Sequence, residues 1–160
     1  MSSEVNQEIK PNKQYHPQMH SAEHILNQTI VRMFNCERSF SNHIEKKKSK
    51  CDYLFPRNLT HKEIEEIESK VNEVIRRDLE VREEFYPKEV AERKFNLSKL
   101  PEDAGDKVRV IKIGEYDSCP CSGQHVSHTN KIGAFKIIST DFKENVLRIR
   151  FKLDQKADQE

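Results

Sequence analysis

The sequence predicts an α+β fold, a single domain with helices packed on a mostly antiparallel sheet. Three observations carry this. A capped helical stripe begins at Thr60, where Thr60 and Glu63 have capping-box spacing and Ile64, Ile67, Val71, Val74 and Ile75 follow on one face. Near the C-terminus Leu147, Ile149, Phe151 and Leu153 alternate with Arg148, Arg150 and Lys152, the pattern of a half-buried strand. The 160 residues contain no internal repeat or low-complexity linker and suit one domain with a real core.

The elements follow in order. Residues 1–15 are polar and without period, and read as a loose tail. From Pro17, the residues Ala22, Leu26, Ile30 and Met33 recur at helical spacing, with His20 and His24 one turn apart on an adjoining face. Residues 38–54 read as two strands joined by the basic turn Lys46, Lys47, Lys48, Ser49, Lys50, with Ser39, Ser41 and His43 sharing a strand face. After the Thr60 helix, Leu79, Val81 and Phe85 suggest a strand, and Pro87 opens a short helix to about Phe95. Residues 96–106 read as loop, and Val108–Ile113 as strand. Two further strands are expected around 134–140 and 146–153, so the folded domain spans 16–153 and residues 154–160 form a second tail.

Composition narrows the function. Hydrophobic and charged residues each make up 34%, and 28 basic against 27 acidic residues leave a net charge of +1, so any nucleic-acid contact must come from a local patch. The apolar runs are too short for a membrane span and the N-terminus lacks a signal-peptide core, which makes the cytoplasm the expected location. There, four cysteines among histidines point to metal binding or catalysis in preference to disulfides.

The densest chemistry lies in residues 117–125, Asp-Ser-Cys-Pro-Cys-Ser-Gly-Gln-His. His20 and His24, at i and i+4 on a helix, can aim two imidazoles at one ion, and Cys121 and His125 supply a second pair. Together they make a His3Cys set suited to one zinc ion. Cys121 keeps the four-residue interval to His125 and is favoured over Cys119. Cys36 and Cys51 read as small core residues, and His16, His61 and His128 as surface or packed histidines. Glu23 directly precedes His24, so it is not the glutamate of an HExxH site and receives no base role. Spacing alone leaves open whether such a zinc is structural or catalytic.

Two segments together, His20-Ser21-Ala22-Glu23-His24 and Cys121-Ser122-Gly123-Gln124-His125-Val126, followed by Ile132-Gly133-Ala134-Phe135-Lys136-Ile137, resemble the alanyl-tRNA synthetase editing-domain family. The likeness is greatest to its short, free-standing AlaX-type members and covers roughly residues 16–153. It implies a zinc-dependent hydrolase that removes the wrong amino acid, chiefly serine, from tRNA(Ala), with His20, His24, Cys121 and His125 as ligands. Ser39 falls near the family's substrate-facing hydroxyl, and Ser41 and Gln124 join it as candidates for recognising the amino acid. The family often reads Cys-Gly-Gly-Thr-His, so Ser122 and Gln124 are departures that bear on substrate choice. Residues 123–129 also resemble the related threonyl-tRNA synthetase domain, which clears serine from tRNA(Thr). A structural-zinc domain that only binds RNA is the reading from another class. For RNA contact, Lys46, Lys47, Lys48 and Lys50 form the tight basic cluster, with Arg148, Arg150 and Lys152 a second candidate patch.

Overall fold

The computed structural model describes residues 16–95, 97 and 106–154. The expected tail over 1–15 lies outside them, as do residues 155–160 of the second tail and most of the expected loop at 96–106. Asp154, assigned to that tail, instead ends the last strand.

Helix α1 (Pro17–Phe34) starts on a proline, whose missing N–H costs nothing in a first turn, and stops where Asn35 adopts a left-handed conformation. A hairpin of β1 (Ser41–His43) and β2 (Ser49–Leu54) follows. Helix α2 (His61–Arg76) carries the full capping box at Thr60 and Glu63, and Arg57 grips the same carboxylate at 2.9 Å through both nitrogens. Strand β3 (Val81–Pro87) then leads into the short helix α3 (Lys88–Lys94). Strands β4 (Lys107–Ile113) and β5 (Asp117–Pro120), a 3-10 turn at Thr129–Lys131, and the strands β6 (Ala134–Lys143) and β7 (Val146–Asp154) follow among the described residues.

The strands form two antiparallel sheets, not one: β1-β2-β7-β6 and β3-β4-β5. Helices α1 and α2 cover the apolar face of the larger sheet, where Ile25, Leu26, Ile30, Ile67 and Val71 meet Tyr53, Leu147, Ile149 and Phe151, all fully buried. A second, smaller cluster joins Ala91 of α3 to Val108 and Val110 of β4. On the open face of the larger sheet two of the alternating basic residues are paired: Arg148 forks onto Asp52 at 2.8 and 2.9 Å, and Arg150 pairs with Asp141.

Two devices tie the helices to the sheets. The edge of β6 is blunted by α2, because the Asn72 amide donates to Phe135 O at 2.9 Å and accepts from Phe135 N at 2.8 Å. Glu68 takes the Ile137 N–H at 2.7 Å. Thr129 anchors the segment after residue 125 to the end of α2: its hydroxyl lies 3.1 Å from both Val74 O and Ile75 O and accepts from Leu79 N at 2.8 Å. This clamp fixes the segment that follows His125, and the Val126 N–H, donating to Ser21 Oγ at 3.1 Å, ties the start of that segment to α1.

Candidate metal centre

α1 buries His20 and His24 almost completely, at 1% and 2% exposure. They face inward because β5 runs beside α1. Strand β5 is held to β4 in the register Val110↔Pro120 and Ile111↔Cys119, which delivers Cys121 just past the strand end. The turn then folds His125 back over the two helical histidines. One ligand atom from each of His20, His24, Cys121 and His125 lies within 4.8 Å of all the others. His20 Nε2 is 3.3 Å from Cys121 Sγ, and the Gly123 N–H donates to that sulfur at 3.3 Å. The imidazole of His125 stacks on that of His20 with centroids 4.2 Å apart.

The outward nitrogens are held too. His20 Nδ1 lies 3.2 Å from Gln124 O, which can only accept, so this nitrogen carries the ring proton. His125 Nδ1 is 3.0 Å from Ser21 Oγ, itself fixed by the Val126 N–H at 3.1 Å. His24 Nδ1 sits 3.5 Å from Asp117 Oδ2, an ion-pair distance without hydrogen-bond geometry. Asp117 is in turn held by Arg38 at 2.7 and 3.3 Å and by Gln28 at 2.7 Å. Such outer partners set tautomer and ring orientation in metal sites.

Burial pushes the Cys121 thiol up, but His125, His20 and His24 around it prevail and bring it down to about 2. Burial and the neighbouring His24 charge hold His125 neutral, with its pKa down at about 3. Burial opposes a charge on His24, yet Asp117, Cys121 and Glu23 raise it well above the ordinary histidine value. The cluster thus balances a thiolate with an imidazolium, and a dication can take over that positive charge.

The donor set fits a metal on structural grounds. His125 Nε2 is buried with no hydrogen-bond partner, which is costly for a polar atom left without an ion or water. A Cβ at Gly123 would stand 2.2 Å from His20 Cε1, so the backbone is pressed against a ligand ring. Three imidazoles and one thiolate at these separations are a zinc-type set.

Other candidates fall into place around it. Cys119 is half-buried, donates to its neighbour's carbonyl at Pro120, and stands outside the four-donor group. His16, His43, His61 and His128 also stand outside it. Ser39 is buried at the entry to β1; its N–H donates to Asn27 Oδ1 at 2.6 Å and its hydroxyl donates to Asn42. Gln124 is exposed and meets the cluster through its carbonyl. Lys46, Lys47 and Lys48 are exposed in the β1–β2 turn, while Lys50 is half-buried in β2. Glu23, set aside on spacing, is 6% exposed and places Oε1 3.6 Å from His20 Nε2. Ser21, Glu23, Asn27, Arg38 and Asp117 are the residues that sequence reasoning missed. The available signal was position: two lie inside the His20–His24 motif, and Asp117 opens the segment of densest chemistry.

Comparison with known proteins gives a consistent set of relatives. Residues 108–150, which include Cys121 and His125, match the family model described as the threonyl and alanyl tRNA synthetase second additional domain. The alanine–tRNA ligase of Thermoanaerobacter sp. (strain X514) is 32% identical over 121 residues, covering 75% of this chain and 14% of the ligase. That of Fervidobacterium nodosum is 33% identical over 121 residues, covering 75% and 14%. The enzyme of Leptospira borgpetersenii serovar Hardjo-bovis (strain JB197) is 36% identical over 125 residues, covering 74% and 13%. The chain therefore corresponds to about one seventh of the length of these ligases. No described helix is long and apolar enough to cross a membrane.

Proposed function

Because the chain belongs to the alanyl-tRNA synthetase editing-domain family, related to the threonyl and alanyl tRNA synthetase second additional domain, we propose that it is a zinc-dependent deacylase of mischarged tRNA(Ala), chiefly seryl-tRNA(Ala). The observation that carries the proposal is the convergence of His20, His24, Cys121 and His125 from two distant parts of the chain. One zinc ion bound there would supply an electrophile beside the ester carbonyl or an acidified water. The protein's own residues do the rest. Gln124 O, Ser21 and Asp117 orient the three imidazoles. Ser39 and Gln124 are the proposed contacts to the amino acid. Ser39 is the better supported, because Asn27 links its backbone to Glu23 beside the cluster. A site built to hydrogen-bond the serine hydroxyl leaves its polar groups unpaired on alanine, which gives strong discrimination.

For the RNA, Lys46, Lys47, Lys48 and Lys50 are the proposed phosphate contacts. They are supported over the last strand, whose Arg148 and Arg150 are held by Asp52 and Asp141. The expected cellular location is the cytoplasm, where charged tRNA is used. A tRNA(Thr) substrate remains the second reading, since the matching family model covers threonyl as well as alanyl enzymes.

Single-turnover deacylation tests the substrate. Seryl-tRNA(Ala) should be cleared much faster than alanyl-tRNA(Ala) or seryl-tRNA(Thr). Ser39→Ala should narrow the serine-over-alanine ratio with little change in tRNA affinity. Lys47→Ala with Lys48→Ala should weaken binding and reduce the slope of log K against log salt by roughly 1–2, leaving that ratio unchanged. Equal rates on the two tRNA(Ala) esters would contradict the proposed specificity, and faster clearance of seryl-tRNA(Thr) would move the protein to the threonyl substrate.

A further inference from the structure

We propose that Glu23 receives the α-ammonium group of the esterified amino acid, an inference that rests on the editing function above and adds a substrate contact to it. Glu23 is nearly buried, and its Oε2 accepts from Asn27 Nδ2 at 2.9 Å. Its other oxygen, Oε1, lies 3.6 Å from His20 Nε2. Gln124 O can only accept, so His20 Nδ1 donates to it and Nε2 is the nitrogen turned toward Glu23 and Cys121. Glu23 Oε1 and Cys121 Sγ thus both lie within 3.6 Å of His20 Nε2, a gathering of acceptor atoms that positive charge would satisfy.

A dication accounts for the nitrogen and the sulfur. Glu23 is not one of the four donors that lie within 4.8 Å of one another, so its carboxylate remains beside the metal position, not in it. Apart from His24, which is itself one of the four donors, no basic side chain among the described residues neutralises it at close range. Arg38 acts on Glu23 only from a distance, because its guanidinium is committed to Asp117 at 2.7 and 3.3 Å. Among the described residues no lysine or arginine pairs with Glu23; its close neighbours are the neutral Asn27 amide and the His20 ring.

Charge balance identifies the missing partner. A zinc dication with one thiolate leaves a local charge of about +1, which would repel an incoming ammonium group. Glu23 brings the sum to about zero and offers that group a charged acceptor. In an aminoacyl-tRNA 3′ end, the α-amine is the cationic group, whereas ribose and adenine are neutral. The position is also right for reading an amino acid: Asn27 holds Glu23 through one end of its amide and the Ser39 N–H through the other, so the amine acceptor and the proposed hydroxyl contact stand one residue apart.

The test is calorimetric binding of a non-hydrolysable 3′-amide analogue of seryl-adenosine, and of its N-acetylated form, to zinc-loaded protein. Removing the amine's charge should weaken wild-type binding by about 10–100-fold, the range for a hydrogen bond to a charged group. Glu23→Gln should lose most of that preference while still binding one zinc per chain. Loss of zinc from Glu23→Gln would make Glu23 a ligand and overturn the proposal. So would an equal weakening of both analogues, or wild-type binding that ignores acetylation or fails for both. Should Glu23→Gln not fold, the wild-type preference between the two analogues decides. A retained amine preference in a protein that deacylates no tRNA would sink the editing function while leaving the amine contact in place.

Discussion

Cys121→Ala should abolish metal binding and tRNA deacylation together, while Cys119→Ala keeps both. The two sulfurs are two residues apart, but β5 separates their surroundings. Cys121 lies past the strand end with Sγ 3.3 Å from His20 Nε2 and under the Gly123 N–H. Cys119 is paired within the sheet opposite Ile111, and its thiol turns back to Pro120 O at 3.5 Å. The electrostatics differ in the same sense. The histidines around Cys121 stabilise its thiolate, the form a metal needs, whereas burial pushes the Cys119 thiol up. Removing a ligand should cost more affinity than the roughly 10–100-fold typical of losing an outer partner. Competition against a calibrated chelator gives the affinities, and X-ray absorption gives the sulfur count. Equal loss in both variants would mean that the site uses two sulfurs.

Gly123→Ala should be nearly as damaging, although it removes no ligand. The added Cβ would stand 2.2 Å from His20 Cε1 and 2.5 Å from Nδ1, far inside contact distance. Gly123 does not have a positive φ, so its requirement is space and not backbone freedom. The ring cannot swing aside freely, because Gln124 O fixes Nδ1 and Cys121 faces Nε2. Either the turn lifts and carries Cys121 away, or His20 leaves the cluster. We expect a stability loss of about 1–3 kcal/mol from overpacking, together with at least a tenfold loss of metal affinity. Thermal melts with and without zinc measure both. The neighbouring exposed residue supplies the control, since Ser122→Ala should change neither.

The parts legible in sequence were those with a local signature. Thr60 and Glu63 announced α2 because a capping box needs only four residues, and β7 was plain because alternation is a local pattern. That His20, His24, Cys121 and His125 could come together was legible, because helical i,i+4 spacing and a short turn both leave marks in the chain. What stayed hidden depended on contacts across the chain. Strand β5 is only four residues long and begins with a buried aspartate, which nothing local identifies as a strand. Asp117 reaches His24 and Arg38 across 93 and 79 positions, so its role exists only in the folded protein. Spacing gives Glu23 no role, because it measures the residue against a different motif. In the helix it turns inward, and its distance to His20 follows from the i,i+3 geometry. The division into two sheets was likewise unreadable, since strand order is a property of packing and not of any single strand.

If this chain hydrolyses mischarged tRNA(Ala) through a metal held by His20, His24, Cys121 and His125, its activity must follow its metal content. The most direct measurement is single-turnover deacylation of seryl-tRNA(Ala) by protein as purified, after metal removal by dialysis against chelator, and after zinc is restored. The proposal predicts rapid deacylation, then near-complete loss, then recovery at about one zinc per chain. Full activity in the metal-free protein, or none in protein carrying one zinc per chain, would contradict it.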